Sequence, residues 1–444
     1  MSSLLYRLDQ KPPLWMTVVS AVQWFMITLT SSLVVPLVIS QAFGLDQAQT
    51  AQFMQLTFFL VGIVSLLQVW FGHRYPIMEG PAGMWWGIFL IVVNIGMASG
   101  LSAVQVGQSL EAGLMCIGMI LFLLGLFGLV NYLRNLFTPL VSGCFMLILP
   151  FSMSGTFVQG MLGVGQSGKI QAGTALVALL VLALTIWLSQ SRWKWFRTFS
   201  ILIALLTGWL IYILLGWAAP VQKADSWFTV PHLLFWGTPR LDWGIVFISI
   251  LTGLILISNL ITSISVTAKA AGEEPTKRSL NRGGQMTGVA HFLSGMGGVV
   301  GLVPLSIAAG VIEMTGMAAR LPFVIASFLM ISLGFFPFIG LLFAAIPVPV
   351  GYAVLFVTFT QLVGFGLRDL QTVQMEPRNV MTIGLSLMFG IGVMFLPKTA
   401  LQGINPVLAD LLGNGLIVGV IAGIVLEQIV FRRRPEAGDS QQSA

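Results

Sequence analysis

Two stretches decide the fold: Pro76-Ile-Met-Glu-Gly-Pro-Ala-Gly-Met-Trp-Trp-Gly87 and Gly295-Met-Gly-Gly-Val-Val-Gly-Leu-Val-Pro-Leu-Ser-Ile-Ala-Ala-Gly310. Both are apolar enough for a membrane interior, and both are interrupted. Tyr75–Gly87 carries two prolines and three glycines, and Gly295–Gly310 carries Pro304 and five glycines. Proline removes a backbone donor and glycine weakens a helix interior. Irregular backbone at membrane depth is tolerated only where protein encloses it or water lines it. Each stretch therefore reads as a broken span facing a cavity.

The rest of the chain supplies the membrane. Of 444 residues, 57% are hydrophobic and 8% are charged, against about 25% charged in soluble domains. A span takes roughly 20 mostly apolar residues. Spans are expected at 15–41, 50–71, 78–98, 110–132, 138–160, 172–190, 197–218, 242–268, 282–300, 302–319, 321–345, 349–366, 379–397 and 406–430. No soluble domain fits between them. Val221–Trp236 reads as an external loop with an interfacial helix, given Trp227, Phe228 and Trp236. The stretch after Val430 reads as a disordered tail. Cys116 and Cys144 sit in apolar runs as inert core residues. Met1–Pro13 lacks a small-residue cleavage site, so a removed signal peptide is not expected.

The net charge of +6 comes from topology rather than nucleic-acid binding. With the N-terminus in the cytoplasm, only Lys169, Lys223, Arg240 and Lys398 of the 21 Lys and Arg residues fall outside. The others lie in inner loops and tails, as the positive-inside rule requires. Both termini are then cytoplasmic.

Seven spans per half is an odd number, so two copies of a seven-span unit would be inverted relative to each other. The broken spans are the third and the tenth, the third members of the two halves. Transporters built on inverted repeats place interrupted segments in this way around a midplane site. Half-helices starting there turn backbone N–H groups toward a ligand.

A carboxylate inside the membrane costs at least about 2.5–3.5 kcal/mol, so it marks function by default. Glu79 lies in the first broken segment, as a substrate acceptor or proton carrier, or as a structural partner of Arg74. Glu313 lies beyond the second, within reach of Arg320. Asn259, Thr262 and Ser263 form a polar stripe on span eight, facing substrate or bonding another helix. Gln23 and Thr28 read similarly on span one. His291 is a packed core histidine or a proton relay. Trp85 and Trp86 can stack on a flat ring or anchor at an interface. There is no Gly-x-Ser-x-Gly, His-Glu-x-x-His or phosphate loop, so no enzyme, metal site or cofactor is expected.

These residues resemble the nucleobase–cation symporter-2 family, the nucleobase–ascorbate or uracil/xanthine permeases. The stretches that carry the likeness are Ala21-Val-Gln-Trp…Val34-Val-Pro36, Pro76–Gly87, Leu136-Phe-Thr-Pro139 and Trp236-Gly-Thr-Pro-Arg-Leu-Asp-Trp243. They continue with Ser294-Gly-Met-Gly-Gly298, Ile346-Pro-Val-Pro-Val350, Arg378-Asn379 and Gly413-Asn-Gly-Leu-Ile-Val-Gly419. Met78–Gly87 is similar to a divergent subgroup of purine or uracil/xanthine permeases. The resemblance implies an all-α membrane protein of about fourteen segments in two inverted seven-span repeats, with short strands in segments three and ten. It implies a core domain (1–135 and 242–345) and a gate domain (136–241 and 346–431), with 432–444 as the cytoplasmic tail. It also implies elevator-type motion, a homodimer, and uptake of a nucleobase with protons or sodium.

The chain departs from that pattern at the site. The resemblance places a glutamate on span eight where Asn259 stands, and another on segment ten near Ile307–Ala308. The span-one Gln-His pair is Gln23-Trp24 here. Asparagine bonds a base edge through both amide atoms but carries no proton, so Glu79 is expected to take the acidic role. The expected substrate site comprises Gln23, Glu79, Gly80, Ala82, Gly83, Asn259, Thr262, Ser263, Ser306, Ile307 and Ala308, with Glu79 and Glu313 as coupling candidates. The expected function is proton symport of xanthine, another purine or uracil across a bacterial inner membrane. A sulfate-type anion permease and an uncoupled facilitator of the same fold are the alternatives.

Overall fold

The computed structural model describes residues 4–98, 100–130, 138–164, 168–224, 226–397, 400 and 412–431. The expected tail at 432–444, the start of the last span at 406–411, and Leu136 and Phe137 lie outside the described residues. The first half runs α1 (Leu14–Ala42), α2 (Gln47–Trp70), β1 (Glu79–Pro81), α3 (Gly83–Ala98), α4 (Ala103–Leu126), α5 (Pro139–Met161), α6 (Ala172–Ser189), α7 (Lys194–Thr198) and α8 (Ser200–Leu214). The second runs α9 (Trp243–Ala270), α10 (Lys277–Gly297), β2 (Leu302–Pro304), α11 (Ile307–Thr315), α12 (Arg320–Leu333), α13 (Pro337–Ala344), α14 (Val348–Gln371), α15 (Pro377–Val393) and α16 (Gly415–Val425), then a π turn, Leu426–Val430.

Taken with their strands and short partners, these elements make fourteen segments of a helical membrane protein. Segments three and ten are each a strand followed by a short helix. Seven described helices are long and apolar enough to cross a membrane by themselves: α1, α2, α4, α5, α6, α9 and α14. Segment eleven is not the straight span expected at 321–345. α12 and α13 meet at 83°, because Phe336 is extended and Pro337 opens the next helix, where a proline cannot continue the last one. The interfacial helix expected in Val221–Trp236 is also absent among the described residues. Trp236 turns inward instead, and its indole N–H donates to the Gly298 carbonyl at 2.8 Å.

Packing divides the chain into two units. One comprises residues 1–134 and 153–360, the other 135–152 and 361–444. In the first, α4 and α10 touch backbone to backbone. A Cβ on Gly118 would lie 2.5 Å from the Phe292 amide nitrogen, and one on Gly288 would lie 2.3 Å from that of Phe122. Small residues give this close approach in membranes. Three helix starts carry capping boxes, Asp46 with Gln49, Ser102 with Gln105 and Thr276 with Ser279. In the second unit, Leu140, Cys144, Leu147 and Leu370 form a buried cluster, and the Thr138 hydroxyl donates to Glu427 at 2.6 Å. Cys144 is a buried free cysteine.

Candidate functional site

The two broken segments cross as an antiparallel pair, Glu79 opposite Pro304, Gly80 opposite Val303 and Pro81 opposite Leu302. Every residue of both strands is buried. The ladder ends at the prolines, which have no N–H to donate. Past each proline one further bond frames the pair. The Ala82 N–H donates to the Gly301 carbonyl at 3.1 Å, and the Leu305 N–H donates to the Met78 carbonyl at 3.0 Å. Helices α3 and α11 begin immediately after.

Glu79 is fully buried. Its backbone N–H donates to Ser65 Oγ at 3.1 Å, yet neither carboxylate oxygen has a hydrogen-bond partner among the described residues. A buried charge is tolerated only with a counter-charge or as its neutral form. The group in reach is His73, also fully buried, with Nε2 3.9 Å from Glu79 Oε1. The Tyr75 N–H donates to His73 Nδ1 at 3.0 Å. Nδ1 is therefore the acceptor, and the neutral ring carries its hydrogen on Nε2, toward the carboxylate.

Arg74, the partner considered from sequence, points out to the exposed surface. Its positive φ of 67° turns His73 inward. The Arg74 carbonyl accepts from Arg320 Nε at 2.6 Å, and Arg320 also pairs with Asp9. Arg320 thus has Asp9, rather than Glu313, as its salt-bridge partner, and Glu313 lies exposed on α11.

The span-eight stripe reaches the crossing through one hydroxyl. Ser263 Oγ is 2.9 Å from the Pro304 carbonyl oxygen and 3.0 Å from Asn259 Oδ1. Ser263 is buried, Asn259 half-buried and Thr262 exposed. The structure thus gathers Glu79, Gly80, Ala82, Asn259, Ser263 and the Leu305–Ala308 turn around the strands. Ser306 and Ile307 at the start of α11 are exposed, while Ala308 is buried. Thr28 contacts the Met78 sulfur at 3.9 Å. Gln23 is half-buried further along α1, and Gly83 opens α3.

Trp85 and His291 bond to each other. The Trp85 indole N–H donates to His291 Nε2 at 2.8 Å, and His291 Nδ1 sits 2.8 Å from the Thr287 carbonyl. Both ring nitrogens are used, with the hydrogen on Nδ1. Trp85 is fully buried against Gly301, and Trp86 meets Phe359 edge-on with centroids 4.8 Å apart.

Two buried groups escaped the sequence reading. His73 was one of only three histidines, and its place six residues before Glu79 was the available signal. Glu111 on α4 accepts from the Trp236 N–H at 3.1 Å, locking that turn to the helix. Nothing in its apolar surroundings announced a partner 125 residues away.

A family profile for xanthine/uracil permeases, described as Permease family, matches residues 16–399. "Putative purine permease YwdJ" of Bacillus subtilis (strain 168) is 35% identical over 424 residues, covering 94% of this chain and 96% of that one. The xanthine permease XanP of Escherichia coli (strain K12) is 27% identical over 458 residues, covering 96% and 95%. Among solved structures, the transmembrane domain of the cyanobacterium bicarbonate transporter BicA superposes with a TM-score of 0.60 at 15% identity, covering 93% of this chain and 97% of that one. That last likeness is one of fold alone. With the profile spanning both broken segments and the strand crossing they form, the chain belongs to the xanthine/uracil permease family of membrane transporters.

Proposed function

We propose that this permease moves a nucleobase, such as xanthine, another purine or uracil, by proton symport with elevator-type alternating access. The observation behind this reading is Glu79, buried beside the strand crossing with His73 as its only ionisable neighbour within salt-bridge distance among the described residues. A protonated Glu79 beside neutral His73 has no net charge. Loss of one proton leaves a net charge of −1 on two buried side chains, which is costly. Binding a proton removes that charge, which ties occupancy of the site to the proton. Asn259 offers a donor and an acceptor to a base edge, backed by Ser263.

On this reading residues 1–135 and 242–345 form a core that moves past a gate of 136–241 and 346–431. The protein works as a homodimer in a bacterial inner membrane with both termini cytoplasmic. The inside placement is supported by Asp9, Arg74 and Arg320, which gather at one end of the first unit. A buried carboxylate opposes a bound anion, which favours the base over the sulfate-type alternative.

The test uses proteoliposomes with an imposed inward proton gradient and labelled xanthine, hypoxanthine, guanine, adenine and uracil. At least one base should accumulate above its equilibrium level, with acidification of the lumen. Equilibration without accumulation would assign an uncoupled facilitator. Failure with all five, together with uptake of labelled sulfate or bicarbonate, would assign an anion permease.

A further inference from the structure

The same unit that holds the strand crossing contains a separate cavity of about 760 Å³, within the range of about 300–1,000 Å³ usual for small-molecule sites. Its walls are the C-terminal ends of α1, α5 and α8 and the N-terminal ends of α6 and α14. These five ends share one membrane edge, opposite the start of α1. With the N-terminus cytoplasmic, as proposed above, that edge faces outside.

The lining has a distinct chemistry. Among the described residues no charged side chain contributes to it. Three amides do, Gln41, Gln159 and Gln171, and each carries both donors and an acceptor. The Thr174 hydroxyl donates to Gln171 Oε1 at 3.2 Å, leaving the Gln171 amide hydrogens to the cavity. The Tyr212 hydroxyl is buried beside Thr174 and makes no hydrogen bond of good geometry among the described residues.

Two flat walls are built in by glycine. A Cβ at 160 would lie 2.1 Å from the Tyr352 ring, and one at 173 would lie 2.5 Å from the Trp217 ring. Only a residue without a Cβ lets those rings lie there. Trp217 is braced edge-on by Tyr212 with centroids 5.8 Å apart.

We infer that this cavity is a second binding site for a neutral nucleobase, an outer subsite that receives the base before the strand crossing does. Amides that both donate and accept match the mixed edge of a base, and the rings match its faces. The uncharged lining gives no compensation to a sulfate, a phosphate or an ammonium, so it discriminates against ionic solutes at the entrance. The inference rests on the nucleobase reading above.

Equilibrium binding of labelled xanthine to the full chain in lipid nanodiscs tests it, with hypoxanthine, guanine, adenine and uracil tried in turn. Two bound bases per chain are expected. Gln159→Leu/Gln171→Leu should leave one, and Asn259→Leu should leave the other. Gln159→Glu/Gln171→Glu keeps side-chain size and should lose the same site, which separates recognition from misfolding. One bound base per wild-type chain, lost in Asn259→Leu and unchanged in both double variants, would overturn the outer subsite and leave the permease reading standing. No saturable binding of any of the five bases to the wild type would overturn both.

Discussion

Glu79 and Leu302 occupy equivalent places in the two halves. The strands Glu79-Gly-Pro81 and Leu302-Val-Pro304 run antiparallel and both end in proline. A two-fold axis through the pair relates Pro81 to Pro304 and Ala82 to Leu305. The framing bonds obey it, Ala82 to Gly301 and Leu305 to Met78. The side chains do not. Segment three is small where segment ten is large, and the reverse. A Cβ on Gly80 would meet the Leu305 side chain at 2.7 Å, and one on Gly301 would meet the Trp85 ring at 2.6 Å. Trp85 and Trp86 stand where the other half has Ala308 and Ala309. The backbone is repeated, while bulk and charge are divided between the copies. Both residues at the first strand position are fully buried, but only the first half has a histidine to meet an acid there.

Placing an acid in the other copy breaks that division most severely. Leu302→Glu buries a second carboxylate with no His73 counterpart. It should lower stability by about 3 kcal/mol or more, read as a fall in thermal unfolding temperature in detergent, with Leu302→Met as the mild control. Wild-type stability in Leu302→Glu would mean that the second half accommodates an acid equally well.

Trp85→Phe keeps most of the bulk against Gly301 but leaves His291 Nε2 without its donor. The expected loss is about 2 kcal/mol in the same melt. No loss would show that the ring alone, and not its hydrogen bond, supports segment ten.

Glu79→Gln removes the proton and keeps the shape. Uptake of the transported base should fall about tenfold, the scale of 1.36 kcal/mol. The sign of the pH response follows from symport. Wild-type uptake rises as the outside pH falls, because the protonated carboxyl is the loaded form. The glutamine variant should be flat across the same range. Wild-type rate and wild-type pH response together would remove Glu79 from the coupling step.

The smallest effect is expected from Ser263→Ala, which frees the Pro304 carbonyl and Asn259 from their shared hydroxyl. About 1 kcal/mol of stability should be lost, with base affinity lowered by a few-fold in the nanodisc assay. Unchanged affinity would place Asn259 independently of segment ten.

Much of the fold was legible in the chain. The apolar runs located the segments because a bilayer demands roughly 20 apolar residues from each span. The glycines and prolines of Pro76–Gly87 and Gly295–Gly310 marked both strands, because a straight helix holds neither residue well. Segment eleven was misread as straight, although Gly334 and Pro337 were present. Apolarity alone does not report a bend of 83°. The site was half legible. Glu79 and the Asn259–Ser263 stripe stood out as polar residues in apolar runs. The Trp85–His291 bond, at a separation of 206 residues, and the turn of Trp236 onto Glu111 and Gly298 could not be seen in local pattern.

By itself, then, the sequence determined that the chain crosses a membrane many times, that segments three and ten are broken, and that an acid lies in the first of them. Those facts follow from local hydrophobicity and backbone propensity. Only the tertiary structure decided the register in which the two breaks pair, that His73 rather than Arg74 meets Glu79, and that Trp85 donates to His291. Those outcomes depend on which buried polar groups find partners across long separations, and burial makes each such pairing costly to leave unmade.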